Sequence, residues 1–147
     1  YKNKKMLKKV IVFFLIVIAL GTAIGLYLYN KPHETAADVE VFEEINAHDL
    51  YAKFKTDPKN AINTYLNKNL LVSGNLESFV QDSAGTKWTL STQSEDLGVI
   101  TVTFSEPLAQ NPMVNQLVKV QGLCAGYLEG DEFLGGEIQL NQAVVAQ

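Results

Sequence analysis

Hydrophobic and polar residues follow three different patterns along the chain. An unbroken apolar run occupies residues 10–29, with no charged residue among its 20 positions. Apolar residues recur at helical spacing over 47–66, and they alternate with polar residues over 69–145. The pattern therefore predicts a membrane-crossing helix, then two short helices, and then a β-rich segment.

The apolar run 10–29 has the length of a transmembrane helix. At about 1.5 Å per residue, its 20 residues would span about 30 Å, the thickness of the hydrocarbon core of a bilayer. A buried soluble helix of this length normally keeps a polar stripe, and this run has none. Tyr27 and Tyr29 fall where aromatic residues line the membrane interface. We therefore predict a transmembrane helix at 10–29.

Basic residues before the apolar run predict its orientation. Five lysines precede it: Lys2, Lys4, Lys5, Lys8 and Lys9. Because basic flanks mark the cytoplasmic side, residues 1–9 are predicted to be a cytoplasmic tail and the rest of the chain periplasmic or extracytoplasmic. A cleaved signal peptide also begins with basic residues, but its apolar region is usually only about 7 to 15 residues long. The longer run favours an uncleaved anchor in a bacterial inner membrane.

Two glycines in the predicted anchor suggest a partner. Gly21 and Gly25 are four residues apart and share one helix face. Small residues at this spacing let a second transmembrane helix approach closely. We therefore take Gly21 and Gly25 as candidates for helix packing, with other membrane proteins as the predicted partners.

The segment between the anchor and the strands predicts a linker followed by two helices. Residues 30–46 are acidic and mixed in character, and we interpret them as a linker. Asn46 is a residue type that caps helix N-termini, and Asp57 followed by Pro58 is a second helix-start signal. The folded domain is therefore predicted to cover 47–147, beginning with two short helices.

The rest of the sequence predicts five strands. They begin near Asn69, Thr86, Val99, Leu117 and Leu134. Residues 82–85 have the composition of a hairpin turn, and residues 106–115 contain two prolines and predict a loop. Gly122 and Gly126 predict a bulge or sharp bend in the fourth strand. Five strongly bent strands fit a small closed or partly closed barrel of the OB type, whereas a β-sandwich would need more strands.

Short motifs over most of residues 29–147 match a known family pattern. They are Tyr29-Asn30-Lys31-Pro32-His33, Asp49-Leu50-Tyr51 with Phe54, Ala61 with Tyr65-Leu66-Asn67-Lys68, Val72-Ser73-Gly74, and Val118 to Tyr127. With these motifs the chain resembles the tRNA_anti-like family, a bacterial group of short exported OB-fold proteins best represented in Bacteroidetes. The family name refers to an anticodon-binding relative. The resemblance implies the fold and implies no activity.

The single cysteine, Cys124, cannot form a disulfide within the chain. Its place in an apolar strand favours a buried core thiol, with an intermolecular disulfide as the alternative. The resemblance implies that some family members pair a cysteine at this position with one in the last strand. Here that strand contains Leu140-Asn141-Gln142-Ala143, so no such pair is expected.

Charge and motif content argue against several functions. Residues 34–147 contain six lysines, sixteen acidic residues and no arginine, a net charge of −10, which disfavours nucleic-acid binding. The two histidines, His33 and His48, are too few for a zinc site. No phosphate-binding glycine loop and no nucleophile elbow is present. We therefore predict no catalytic residue, no metal site and no cofactor.

Two aromatic residues, Trp88 and Tyr127, are candidates for binding contacts. Trp88 alternates with Leu90, which predicts a core position and not a platform on which a base or sugar stacks. Tyr127 stands at the end of a strand beside Gly126 and is the better candidate for an exposed contact. The sequence as a whole favours a membrane-anchored, non-enzymatic accessory module of a membrane protein assembly. The alternative is a tethered extracytoplasmic domain that binds an oligosaccharide, a peptide or a cation.

Overall fold

The chain divides into two compact units in a computed structural model that describes residues 2–30, 36–131 and 133–146. The first unit is helix α1 (Lys2–Asn30). Its stretch Met6–Asn30 is long and apolar enough to cross a membrane. The helix expected at 10–29 is therefore confirmed.

The second unit begins with a short helical turn and contains two helices and six strands in its described residues. The turn covers Ala36–Asp38, and the helices are α2 (Ala47–Thr56) and α3 (Pro58–Tyr65). The strands are β1 (Glu43–Asn46), β2 (Asn69–Asp82), β3 (Gly85–Ser91), β4 (Val99–Phe104), β5 (Leu117–Leu128) and β6 (Glu137–Val145). The hairpin turn expected at 82–85 joins β2 and β3, and the predicted loop at 106–115 lies between β4 and β5.

Strands β2 to β6 form a closed five-stranded barrel. Their order is β2-β3-β4-β6-β5, and β5 pairs back with β2. Neighbouring strands are antiparallel except β4 and β6, which run parallel. The predicted OB-like barrel preceded by two short helices is confirmed.

The expected linker at 30–46 is wrong from residue 36 onward. Residues 43–46 form β1, which pairs in parallel with β2. The side-chain amide of Asn69 donates to the carbonyl oxygens of Ala36 (2.9 Å) and Val39 (2.5 Å), and Gln121 donates to the same two oxygens. The folded domain therefore reaches back at least to Ala36, because residues distant in sequence hold this segment. Residues 31–35, with His33, lie outside the described residues.

The bend expected at Gly122 and Gly126 is present. The pairing of β5 with β6 shifts register between Gln121 and Leu123 and again between Cys124 and Gly126. At Gly122 a Cβ would lie 3.2 Å from the Cβ of Leu140, so the two strands cross closely there. These irregularities let β5 and β6 curl around the barrel.

The core fills the barrel and extends under α2. The inward-facing residues of the strands are buried, among them Leu70, Val72, Leu76, Trp88, Leu90, Ile100, Val102, Cys124, Ile138 and Leu140. Helix α2 covers the end at which β3 and β5 finish, and it buries Leu50, Tyr51 and Phe54. Burial raises the pKa of the Cys124 thiol to about 11, so it is an unreactive core residue at neutral pH, as the sequence favoured.

Both predicted helix caps are present, and one gives a stability prediction. Oδ1 of Asn46 accepts from the N–H of Asp49 (2.8 Å), and Oδ1 of Asp57 accepts from the N–H of Asn60 (3.1 Å). Asp57→Ala removes the second cap and should lower the free energy of unfolding by about 1 kcal/mol. Urea denaturation of the full-length protein measures it, with exposed Lys59→Ala as control. Equal stability of the two variants would contradict the capping role.

Candidate interaction surfaces

The outer face of β3 and β4 corresponds to the surface with which many OB folds bind oligonucleotides and oligosaccharides. Its outward residues are Lys87, Thr89 and Ser91 on β3 and Val99, Thr101 and Thr103 on β4. The two aromatic residues of these strands, Trp88 and Phe104, are buried and stack edge-on at 4.6 Å between ring centroids. Apart from Lys87, the face therefore presents short side chains, and none of its outward residues is an aromatic that can stack on a base or a sugar ring.

Trp88 is a core residue, as its alternation predicted. It is 1% exposed. Its indole Nε1–H donates to Oδ1 of Asn111 in the loop between β4 and β5 (2.9 Å). The only polar group of the side chain is therefore used to hold a loop in place.

Tyr51 ties α2 to two loops at one end of the barrel. We name these loops the first loop (residues 92–98, between β3 and β4) and the second loop (residues 129–136, between β5 and β6). The Tyr51 hydroxyl donates to Oδ2 of Asp96 in the first loop (2.8 Å) and accepts from the N–H of Gly136 in the second (2.9 Å). Nζ of Lys55 lies 3.0 Å from the same Asp96 oxygen. One buried side chain thus holds a helix and both loops.

The protonation states of this network are fixed over the physiological range. Burial, and then the bond to Asp96, raises the pKa of Tyr51 to about 12. The hydrogen bond from Lys55, with a smaller contribution from Tyr51, lowers the pKa of Asp96 to about 2. Neither group titrates near neutral pH, where general acid–base catalysis needs its pKa values. The network is therefore suited to holding structure.

Glycines let the loops approach the tyrosine side chains. A Cβ at Gly98 of the first loop would overlap the ring of Tyr51, and one at Gly136 would overlap the ring of Tyr127. A Cβ at Gly135 would overlap the backbone of Asp96 and Gly98, so the two loops are in direct backbone contact. Both loops are thereby packed on the barrel end and on each other.

Tyr127, the binding candidate from the sequence, is half-buried against the core. Its ring lies 5.2 Å from that of Phe54 and 6.5 Å from that of Tyr51, measured between centroids. Burial raises the pKa of its hydroxyl, and the charge of Glu129 adds to the rise. The side chain therefore packs against α2 and against Gly136 of the second loop, and less of it is available for a ligand than the sequence indicated.

The two loops expose large apolar side chains that the sequence does not mark as contacts. Leu134, the expected start of the fifth strand, lies in the second loop because β6 begins at Glu137. Leu97 is 72% exposed, and in the second loop Phe133 and Leu134 are 84% and 67% exposed. We name these three residues the loop rim. The sequence feature that could have indicated the loop rim is the occurrence of apolar residues beside glycine in otherwise acidic turns. Their common location depends on the contact between the loops, which local pattern does not predict.

A polar cleft of about 360 Å³ lies at the start of α2. Its lining includes Asn46, His48, Asp49, Asn75 and Gln93. Nδ1 of His48 is 2.9 Å from the carbonyl oxygen of Thr92. Because a carbonyl can only accept, Nδ1 carries a hydrogen, and in the neutral form of an imidazole the other nitrogen, Nε2, is then an acceptor. The cleft thus offers amide donors together with imidazole and carboxylate acceptors.

The remaining candidates from the sequence are not brought together. On α1, a Cβ at Gly21 or Gly25 would meet nothing within 4 Å, so both positions leave room for a neighbouring helix. Within the described residues, no group of three or more His, Cys, Asp or Glu side chains is placed to hold a metal ion.

The Asp96 network predicts a specific pH dependence of stability. The pKa of Asp96 is about 2 in the folded protein and about 3.9 for an unfolded chain, so its charged form stabilises the fold above about pH 4. That contribution disappears as the pH falls towards 2. Asp96→Asn should therefore lower the melting temperature at pH 7 and barely change it near pH 2. Thermal unfolding between pH 2 and pH 7 measures the difference in melting temperature between Asp96→Asn and the wild type, with Glu95→Gln as the control. A difference in melting temperature that persists at pH 2 would contradict the charge-dependent role of Asp96.

Comparison with known proteins places the chain in a family. The tRNA_anti-like family model matches residues 4–137. A solved structure of a lipoprotein from Klebsiella pneumoniae subsp. pneumoniae MGH 78578, provisionally described as nucleic acid-binding, is similar at 15% identity with a TM-score of 0.49. The similarity covers 71% of this chain and 91% of that one. No curated protein matches the chain. Because the family match spans most of the sequence, the protein belongs to the tRNA_anti-like family.

Proposed function

We propose that the protein is a membrane-anchored, non-catalytic accessory module that binds other proteins of a membrane assembly. The loop rim is the observation that carries this proposal. Its three apolar side chains are 67–84% exposed on loops that the Tyr51 network holds in place. Exposed apolar patches with polar borders are typical of protein–protein contacts. Loops that are already ordered also lose little conformational entropy on binding.

The anchor part of the proposal rests on α1 and its flanking charges. We infer an uncleaved anchor in a bacterial inner membrane, with the lysines before it cytoplasmic and the barrel periplasmic. A cysteine placed at Met113, which is 78% exposed, tests the orientation. It should react with a membrane-impermeant maleimide in intact spheroplasts, and buried Cys124 should give little background. Labelling that occurs only after lysis would contradict the orientation.

The surface chemistry of the barrel supports protein binding over nucleic-acid binding. The outer face of β3 and β4 has one lysine and no outward aromatic residue. Residues 34–147 carry a net charge of −10, which would repel a phosphate backbone. Turnover above background by the purified full-length protein in a broad substrate screen would overturn the non-catalytic part of the proposal.

Isolation of the complex tests the proposal. The full-length protein, tagged at its C-terminus and expressed at its native level, is solubilised in mild detergent and isolated on the tag. Quantitative mass spectrometry should find one set of membrane proteins in a constant ratio to it across several detergents. A matched pulldown with a tagged, unrelated single-pass protein provides the background. Recovery of only background proteins would contradict the accessory role.

The polar cleft supports a second candidate function, a tethered domain for a small polar ligand. Its amide donors and its His48 and Asp49 acceptors suit the hydroxyl groups of an oligosaccharide. A panel of defined oligosaccharides should then raise the melting temperature of the full-length protein, and His48→Ala should abolish the shift. No shift with any member of the panel would contradict oligosaccharide binding.

A further inference from the structure

Local hydrogen bonds hold the backbone on both sides of the loop rim. In the second loop, Oδ1 of Asp131 accepts from the backbone N–H groups of Phe133 (2.8 Å) and Leu134 (2.9 Å). In the first loop, the hydroxyl of Ser94 accepts from the N–H of Gly98 (3.0 Å), and the N–H of Leu97 donates to the carbonyl of Ser94 (3.2 Å). Each turn is therefore closed by its own hydrogen bonds before any partner arrives.

The two loops are joined into one surface. The Tyr51 hydroxyl bonds to Asp96 in the first loop and to Gly136 in the second. The N–H of Val99 donates to the carbonyl of Gly136 (3.0 Å), and Gly135 lies against the backbone of the first loop. The two loops are therefore in backbone contact at one end of the barrel, and that end carries the three side chains of the loop rim.

The border of this surface is acidic. Residues 92–98 and 129–136 contain no lysine and no arginine. Glu95, Glu129 and Asp131 are exposed there. The nearby cation from α2, Lys55, is already bound to Asp96. The two loops that carry the rim thus bear exposed carboxylates and no basic residue.

We propose that the loop rim docks into an apolar pocket bordered by lysine or arginine on an extracytoplasmic protein surface. This inference deepens the proposed function and rests on it. Charge complementarity selects the occupant, since the carboxylates would pair with a basic border and steer association. The same carboxylates would be repelled by the headgroups of an anionic bilayer and by the identical rim of a second copy.

Photo-crosslinking from Phe133 tests the inference in the full-length protein in its native membranes. Phe133→p-benzoylphenylalanine keeps an aromatic side chain at an 84% exposed position, so folding should be unaffected. It should crosslink to one protein, through a peptide that contains or adjoins lysine or arginine. Glu95→Lys with Glu129→Lys should reduce the yield at least about fivefold. The matched control, Glu77→Lys with Glu106→Lys, reverses two exposed carboxylates elsewhere and should leave the yield unchanged.

Crosslinks to lipid, crosslinks to a second copy, or a yield that does not respond to the charge reversal would each overturn the inference. Placing p-benzoylphenylalanine at Met113, or at Leu20 of α1, distinguishes a failure of this inference from a failure of the proposed function. If these positions capture a protein and Phe133 does not, the inference fails and the accessory role stands. If no position captures a protein, both fail.

Discussion

Gly98→Ala should destabilise the barrel by about 3 kcal/mol or more and lower its melting temperature by roughly 10 to 20 °C. The added Cβ would overlap the ring of Tyr51. That ring cannot move aside, because it is 2% exposed and its hydroxyl is bonded to both Asp96 and Gly136. Relief would require the first loop to separate from α2. Thermal and urea unfolding of the full-length protein in detergent measure the loss.

Gly126→Ala is the matched control for this steric argument. A Cβ at Gly126 would have nothing within 4 Å, so its effect should stay within about 0.5 kcal/mol. In a Tyr51→Leu background, which removes the ring, Gly98→Ala should cost much less than it does alone. Equal melting temperatures for Gly98→Ala and Gly126→Ala would show that the loop does not depend on its contact with Tyr51.

Gly21→Leu combined with Gly25→Leu should reduce recovery of the associated membrane proteins by at least about tenfold, a loss of about 1.4 kcal/mol in association. Both glycines share one face of α1 and leave room for the backbone of a neighbouring helix. Leucine would fill that space and hold the two helices apart. It would also keep the segment apolar, so membrane insertion should be preserved. Quantitative mass spectrometry of the isolated protein measures the recovery.

Ala19→Leu combined with Ala23→Leu is the matched control on α1. Two residues of an α-helix turn the direction of the side chain by about 200°, so Ala19 and Ala23 lie on the face opposite the glycines. The control also introduces two leucines, and it should leave recovery unchanged. If the glycine variant recovers its partners as well as the wild type, α1 does not dock through Gly21 and Gly25.

The strands of the barrel and the starts of the helices could be predicted because residues close together in the sequence specify them. Strands β3 and β4 each bury alternate residues, and the alternation of Trp88 with Leu90 on β3 is visible in the sequence. The start of α2 and that of α3 are marked by Asn46 and Asp57, which cap those helices as expected. The turn at 82–85 and the bends near Gly122 and Gly126 likewise depend on residue types at single positions.

The folded structure of residues 36–46 could not be predicted from local sequence pattern. Strand β1 is four residues long and buries only Ile45, so it contains too little alternation to indicate a strand. Its partner is β2, and the turn before it is held by the amides of Asn69 and Gln121. Contacts this distant in sequence leave no local signal, and the acidic composition indicated a linker instead.

The candidate site was the least predictable part. Leu97 and Phe133 are 36 positions apart, and their backbones are brought together by the contact of Gly135 with the first loop and by the hydrogen bonds of Tyr51 and Val99 to Gly136. Tyr127 is a binding candidate in the sequence because it ends a strand beside a glycine. The aromatic neighbours that half-bury it, Tyr51 and Phe54, belong to a helix some 70 residues earlier. Its role as a ligand contact stays a prediction.

The mass of the native particle tests the central claim, that the protein works as a bound part of a membrane assembly. The full-length protein, extracted at its native level from its own membranes in several mild detergents, is run on a native gel. A reproducible particle much larger than the 16.2 kDa chain with its detergent, containing other proteins in fixed proportion, is the expected result. A lone monomer in every detergent would contradict the accessory role.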